Sequence, residues 1–147
     1  LMSSEHWLVA HDFSPYSQAA ASRAAETLNR FGGEMTLMHI HGDMNVRPEH
    51  STGAETYEFE EGIRKNLEDV KSGLEARFPQ TKINVETLFS QKPAEGIINE
   101  AQRVGATMIV VGTRGRTGLA RVALGSVAES VVKNAKTPVL VTKLEEA

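Results

Sequence analysis

Gly112-Thr113-Arg114-Gly115 and Gly125-Ser126 are the residues of this chain best suited to hold an anion. The first four follow directly on the most apolar run, Met108-Ile109-Val110-Val111. Glycines at such a turn let the backbone adopt positive φ and approach a ligand closely. Amides exposed in such a turn form a concave anion site. Gly125-Ser126 opens a helix, whose N-terminus carries unbonded N–H groups and a partial positive charge. The Ser126 hydroxyl is able to donate to a phosphate or to cap that helix. Arg114, Arg116 and Arg121 lie between the two ends, and no acid stands between Gly112 and Ser126. Arginine suits phosphate because its planar fork donates paired N–H bonds. The plain alternative stays open on turn chemistry alone. Any α/β sheet has glycine at its turns, and basic loop residues are often merely solvated. Neither GxxxxGK[ST] nor GxGxxG occurs, so this is neither a standard P-loop nor a dinucleotide fingerprint.

A second group of interest is Asp12 with His11, His39 and His41. His39 and His41 are two apart on a strand and share a face. With Asp12 they raise a divalent metal site as one option. The favoured reading has no metal: His39 is a core histidine with its hydrogen bond satisfied, and His11 and His41 flank the pocket. Glu100 and Glu129 read as surface charges.

The elements that must position these residues alternate along the chain. Trp7 to His11 reads as a strand, and Ser14-Pro15 as the cap and first residue of a helix. Its apolar stripe is Ala21, Ala24, Ala25, Leu28 and Phe31, and Gly32-Gly33 ends it. Met35 to His41 is the second strand. Gly42 to Thr56 reads as a long loop, and Tyr57 to Phe78 as a helix with Ile63, Leu67, Val70, Leu74 and Phe78 in the core. Lys82 to Phe89 alternates, as a half-buried strand near a sheet edge does. Pro93 opens a helix bearing Ile97, Ile98, Ala101 and Val104. Met108 to Val111 is a central strand, Ser126 starts a helix with Val127, Val131, Val132 and Ala135, and Pro138 to Thr142 is the last strand. Strands separated by helices imply right-handed crossovers, hence a five-stranded parallel, doubly wound α/β sheet with helices on both faces. In such sheets ligands sit beyond the carboxyl ends of the strands, where the strand order reverses. Of the strand-to-helix turns, those after the first and fourth strands are the richest in candidate residues, with Asp12 in one and Gly112 onward in the other.

Composition narrows the class. The 147 residues suit one domain, spanning 1–147. Hydrophobic residues make up 40% and charged residues 24%, the balance of a water-soluble globule. A net charge of −3 gives no overall field for nucleic acid or anionic lipid. Without cysteine there is no disulfide, no thiolate metal ligand and no thiol nucleophile. No apolar run approaches the roughly 20 residues of a membrane span. The opening residues have neither a basic stretch nor an apolar run, so no signal peptide is expected. Leu1 before Met2 reads as an added residue or a cut from a longer chain. A cytoplasmic location is the expectation.

The spaced pattern Gly112-x2-Gly115-x9-Gly125-Ser126 resembles the nucleotide-binding branch of the universal stress protein family, G-x2-G-x9-G-[ST]. The neighbouring residues Ile109 to Leu119 and Leu124 to Glu129, the ending Thr137-Pro138-Val139-Leu140-Val141, and the opening Leu8 to Ser14 are similar to that family as well. The resemblance covers the whole chain. It implies strand order 3-2-1-4-5 and ATP, or another adenine nucleotide, between strands one and four. It places Asp12 near adenine or ribose, with Ala10 and His11 lining the same pocket and Ile40 packed on the base. Val111, Gly112, Arg114 and Gly115 would meet ribose and the first phosphates. Gly125, Ser126, Val127 and Ala128 would hold the distal phosphates, with a magnesium ion beside them as an option. The family also implies a homodimer through the last strand, Val139, Leu140 and Val141, whose edge is otherwise an aggregation hazard. One departure is Gln91-Lys92-Pro93, where the family often has Gly-Asp-Pro; lysine is a poor N-cap.

The functional expectation is a nucleotide-binding stress-response or regulatory module with little or no turnover, because no general base is evident near Ser126 and no residue is assigned a catalytic role. Two other readings stand beside it. One is a slow ATPase or phosphotransferase using the same cradle. The other is a dimeric interaction subunit with a vestigial nucleotide site.

Overall fold

The structure is a computed structural model and describes residues 5–42, 53–114 and 124–144. Strand β1 (His6–Ala10) ends one residue before His11. Ser14 then caps helix α1 (Pro15–Phe31), its side chain accepting from the Ser17 N–H at 3.1 Å. Pro15 fits the first turn because no N–H is needed there. Gly32 closes the helix at φ 79°, in the left-handed region that glycine enters without strain, and donates its N–H to the Leu28 carbonyl. The small inward stripe of α1 is buried, as its spacing requires: Ala20, Ala21, Ala24, Ala25 and Leu28. Phe31, expected at the end of that stripe, is 75% exposed instead. It is the last helical residue, and the chain turns away at Gly32 before the next element can cover it.

Strand β2 (Glu34–His41) follows, then helix α2 (Gly53–Arg77) and strand β3 (Lys82–Phe89). The helix begins at Gly53, before the Tyr57 start expected from periodicity. Ala54 and Glu55 favour helix intrinsically even though no apolar stripe announces them. Residues 43–52 of the expected loop lie outside the described residues. Helix α3 (Pro93–Arg103) starts at Lys92, whose side chain provides no capping bond. The Ser90 hydroxyl accepts the Lys92 N–H at 3.1 Å. Strand β4 (Met108–Gly112), helix α4 (Ser126–Asn134) and strand β5 (Val139–Thr142) complete the order.

The sheet runs β3-β2-β1-β4-β5, and every adjacent pair is parallel. Helices α1 and α2 cover one face with Ala21, Leu28, Ile63, Leu67 and Leu74 against Val9, Leu37 and Val110. Helices α3 and α4 cover the other with Ile97, Ala101, Ala128 and Val131 against Leu8, Met38, Ile109 and Val111. Burial on both faces accounts for the unbroken apolar runs of β1 and β4. Helix α4 buries less than its valines suggest. Val131 and Ala128 point inward, whereas Val127 is 37% and Val132 44% exposed. A short helix at this end of the sheet seats only one narrow stripe.

Glu100, read from the sequence as a surface charge, is in the interior instead. It is buried, because it lies three residues from Ile97 and shares the inward side of α3. Arg103 donates to it and, at 3.2 Å, to Glu86 on β3. Burial, and then the neighbouring Glu100 carboxylate, hold the Glu86 carboxyl above its usual range.

Candidate functional site

Strand order reverses between β1 and β4. Helix α1 leaves β1 toward one face, and α4 follows β4 on the other. The crevice at the carboxyl edge is therefore bounded by the N-termini of two helices, which is where open parallel sheets bind ligands.

The β1 turn is tightly specified. The Asp12 carboxylate oxygen Oδ1 accepts from the Ser17 hydroxyl at 2.5 Å and from the Ser14 N–H at 3.0 Å. The Asp12 N–H in turn donates to the Ser17 hydroxyl oxygen at 3.1 Å. Phe13 sits between them at φ 64°, alone among described non-glycine residues in having positive φ. That conformation costs about 1–3 kcal/mol and persists only when its surroundings dictate it. Here they do: the Phe13 N–H donates to His11 Nδ1 at 3.0 Å. The acceptor role of Nδ1 leaves the imidazole proton on Nε2, which bonds Gln18 Oε1 at 3.2 Å. Burial holds the His11 pKa below its ordinary value, although the Gln18 bond and Asp12 oppose the shift. His11 is thus neutral, with its side chain toward α1.

On the other side of the reversal, Gly112 ends β4. Thr113 donates its N–H to the Thr142 carbonyl at 2.9 Å, and its own carbonyl accepts the Gly125 N–H at 2.6 Å. Those two bonds pin the start of α4 to the edge of the sheet. Gly125 is the N-cap residue, and no side chain caps this helix among the described residues. The amides of Ser126, Val127 and Ala128 belong to a first helical turn, which lacks intrahelical acceptors. Arg114 stands beside this edge with its Cζ 6.0 Å from the Tyr16 ring centroid.

The structure brings together most of the residues singled out in the sequence. Ala10, Ile40, Val111 and Ala128 share the α3/α4 face, with Ile40 beneath Gly96. Asp12, Gly112, Arg114, Gly125 and Ser126 lie at the carboxyl edge. Val127 is on the first turn of α4 with its side chain outward. The His11 side chain is on the opposite face from Ala10, because the two alternate along the chain. Gly115, Arg116 and Arg121 lie outside the described residues.

The other histidines have separate roles. His39 Nδ1 bonds the His11 carbonyl at 2.8 Å. His41 is buried against the rings of Phe59 and Phe89, on the α1/α2 face rather than beside Ile40. Its Nε2 is 3.3 Å from Glu60 Oε1, but no hydrogen-bond geometry is met there. Among the described residues no group of three or more His, Asp or Glu is arranged to hold a metal ion. Sequence reasoning missed Tyr16 and Ser17. The Ser14-x-x-Ser17 spacing carried a local signal for the second; nothing local marked the first.

Among the described residues no helix is long and apolar enough to cross a membrane. A model of the universal stress protein family matches residues 4–143. A universal stress protein of Methanocaldococcus jannaschii is 38% identical over 139 residues, 90% of this chain and 78% of that protein. One of Mycolicibacterium smegmatis is 33% identical over 136 residues, 92% of this chain and 45% of that protein. The chain therefore spans under half the length of that mycobacterial relative. Among solved structures, the hypothetical protein MJ0577 superposes with a TM-score of 0.75 at 26% identity, over 97% of this chain and 98% of the other. A universal stress protein in complex with cAMP gives 0.68 at 23% identity, over 96% and 98%. One from Archaeoglobus fulgidus in complex with dAMP gives 0.65 at 22%, over 96% and 98%. A family match running from the residues before β1 to the residue after β5, with the same sheet order at its centre, places this chain in the universal stress protein family.

Proposed function

We propose that this chain is an adenine-nucleotide-binding module of the family's nucleotide-binding branch, with little or no turnover. The observation that carries the reading is the Gly125 N–H bond to the Thr113 carbonyl. It sets a helix N-terminus that no side chain caps among the described residues at the point where strand order reverses, in a segment with the spacing Gly112-x2-Gly115-x9-Gly125-Ser126. Helix N-termini attract phosphate through oriented amides and the helix dipole. The neighbours in complex with cAMP and dAMP support adenine as the base.

In this reading Asp12, Ala10 and Ile40 hold the base and ribose end, and His11 shapes the Asp12 turn from behind. Val111, Gly112, Arg114 and Gly115 meet ribose and the first phosphates. Gly125, Ser126, Val127 and Ala128 hold the distal ones. The donor set fits a nucleotide: amides, a hydroxyl and guanidinium for phosphate, a carboxylate for hydroxyl or amino groups. A bound magnesium ion would neutralise phosphate charge. Hydrolysis needs a group that orients water. The carboxylate on the first turn of α4, Glu129, is exposed and paired with Lys133 at 2.9 Å, which leaves it poorly placed for that task. Strand β5 ends the sheet, and in this reading a second copy pairs along Val139, Leu140 and Val141 and covers that edge, as a homodimer.

Native mass spectrometry of the protein mixed with ATP, ADP and AMP tests the reading. One nucleotide per chain is expected, on a dimer. No adduct with any of the three would overturn it. Steady phosphate release that Ser126→Ala abolishes would replace slow turnover with an ATPase.

A further inference from the structure

We infer that Tyr16, which lies outside the glycine pattern, is a positioning residue for the guanidinium of Arg114 at the phosphate end of the site. The inference rests on the nucleotide reading above and adds the second wall of the crevice.

The wall made by α4 offers amides. The facing wall is the first turn of α1, Pro15-Tyr16-Ser17. Two independent contacts hold this turn. Ser17 is buried and exchanges hydrogen bonds with Asp12 through both the backbone N–H and the carboxylate of that residue. Tyr16 is seated on β4: a Cβ at Gly112 would lie 2.9 Å from the Tyr16 carbonyl oxygen and 3.0 Å from its Cβ. The backbone of Tyr16 is thereby fixed against the strand that leads directly to Arg114. Its ring lies 6.0 Å from the Arg114 Cζ, within the range of attraction between a cation and an aromatic face.

This arrangement orders a long cation before a ligand arrives. An arginine with no aromatic neighbour loses rotamer freedom on meeting a phosphate, whereas one drawn to a ring face has already lost part of it. Tyrosine suits this task, since its ring has few rotamers and a large face. The contact needs the ring, not the hydroxyl. It acts on phosphate and not on the base.

Calorimetric titration of the full chain with ATP and with adenosine tests this. Tyr16→Leu is expected to weaken ATP about twofold to fivefold, the range for an exposed cation–π contact, and to leave adenosine unchanged. Tyr16→Phe is expected to keep both at wild-type affinity. In an Arg114→Ala background, Tyr16→Leu should have no further effect on ATP. Equal weakening of ATP and adenosine by Tyr16→Leu, unchanged ATP affinity, or an additive double variant would overturn the role of Tyr16 while leaving nucleotide binding intact. Wild-type protein that binds neither compound would remove the nucleotide reading and this inference with it.

Discussion

Gly112 on β4 and Tyr16 on α1 touch so closely that no side chain fits between them: a Cβ at 112 would stand 2.9 Å from the Tyr16 carbonyl oxygen. The first glycine of the spaced pattern therefore serves the packing of helix on strand, in addition to any approach by a ligand. Gly112→Ala has no flexible neighbour to displace, since the nearest atoms are the Tyr16 carbonyl group and its Cβ. It is expected to destabilise the protein without ligand by about 1–3 kcal/mol, the cost of overpacking. Chemical denaturation of the ligand-free variant measures this, and an unchanged midpoint would contradict the contact.

Ser14 holds the same turn from its other side. Its hydroxyl oxygen accepts the Ser17 N–H, and its own N–H goes to Asp12. Ser14→Ala is expected to cost about 1 kcal/mol through loss of the cap. Ser14→Asn, which keeps a capping oxygen without adding a carboxylate beside Asp12, should recover most of it in thermal melts.

The neutral state of His11 has a consequence for pH. Its folded pKa lies below the ordinary value of 6.5, chiefly because it is buried. The unfolded chain therefore takes up this proton first. The stabilisation is full above about 6.5 and is lost as pH falls through the lowered folded value. Protonated Nδ1 would also confront the Phe13 N–H that it now accepts. Melting temperature should fall from pH 7 toward pH 5, and His11→Gln should show a shallower fall. Parallel pH profiles for the two proteins would contradict this.

Glu86 has the opposite sign. Burial and Glu100 raise its folded pKa above the ordinary 4.5. Its contribution is full below that value and is lost as pH rises through the raised one. Melts of wild type and Glu86→Gln across pH 4 to 8 should show the variant gaining on wild type as pH rises. A difference that stays constant, or that moves in favour of wild type as pH rises, would place the Glu86 carboxyl in an ordinary environment.

What was legible in the sequence was local. Ser14-Pro15 and Gly32 mark the ends of α1 because caps depend on a few adjacent dihedrals. The run Met108 to Val111 marks a strand buried on both faces because nothing polar interrupts it. Strand order 3-2-1-4-5 came through resemblance to a family, since alternation alone gives a parallel sheet without its order. Packing across distant segments was not legible. Gly112 meeting Tyr16, and Glu100 turning inward to Arg103 and Glu86, depend on which helix lies over which strand. The side of the sheet that His11 occupies depended on parity at the end of β1. Phe31 and Val132 fit an apolar stripe by spacing, yet both are exposed: Phe31 is the last residue of its helix, and Val132 lies beside the one narrow stripe that Ala128 and Val131 fill.

The central claim is that the first-turn amides of α4 bind phosphate, and Ser126→Pro tests it most directly. Ser126 is the first helical residue, where proline is well tolerated, and Gly125 before it has φ −68° and ψ 161°, an extended conformation compatible with a following proline. The variant removes one amide donor and the hydroxyl while leaving the helix in place. Its melting temperature without ligand should match wild type. Calorimetry should show its ATP affinity reduced about tenfold or more, the loss of charge-assisted hydrogen bonds, against a smaller loss for Ser126→Ala. A folded Ser126→Pro protein that binds ATP as tightly as wild type would contradict the account.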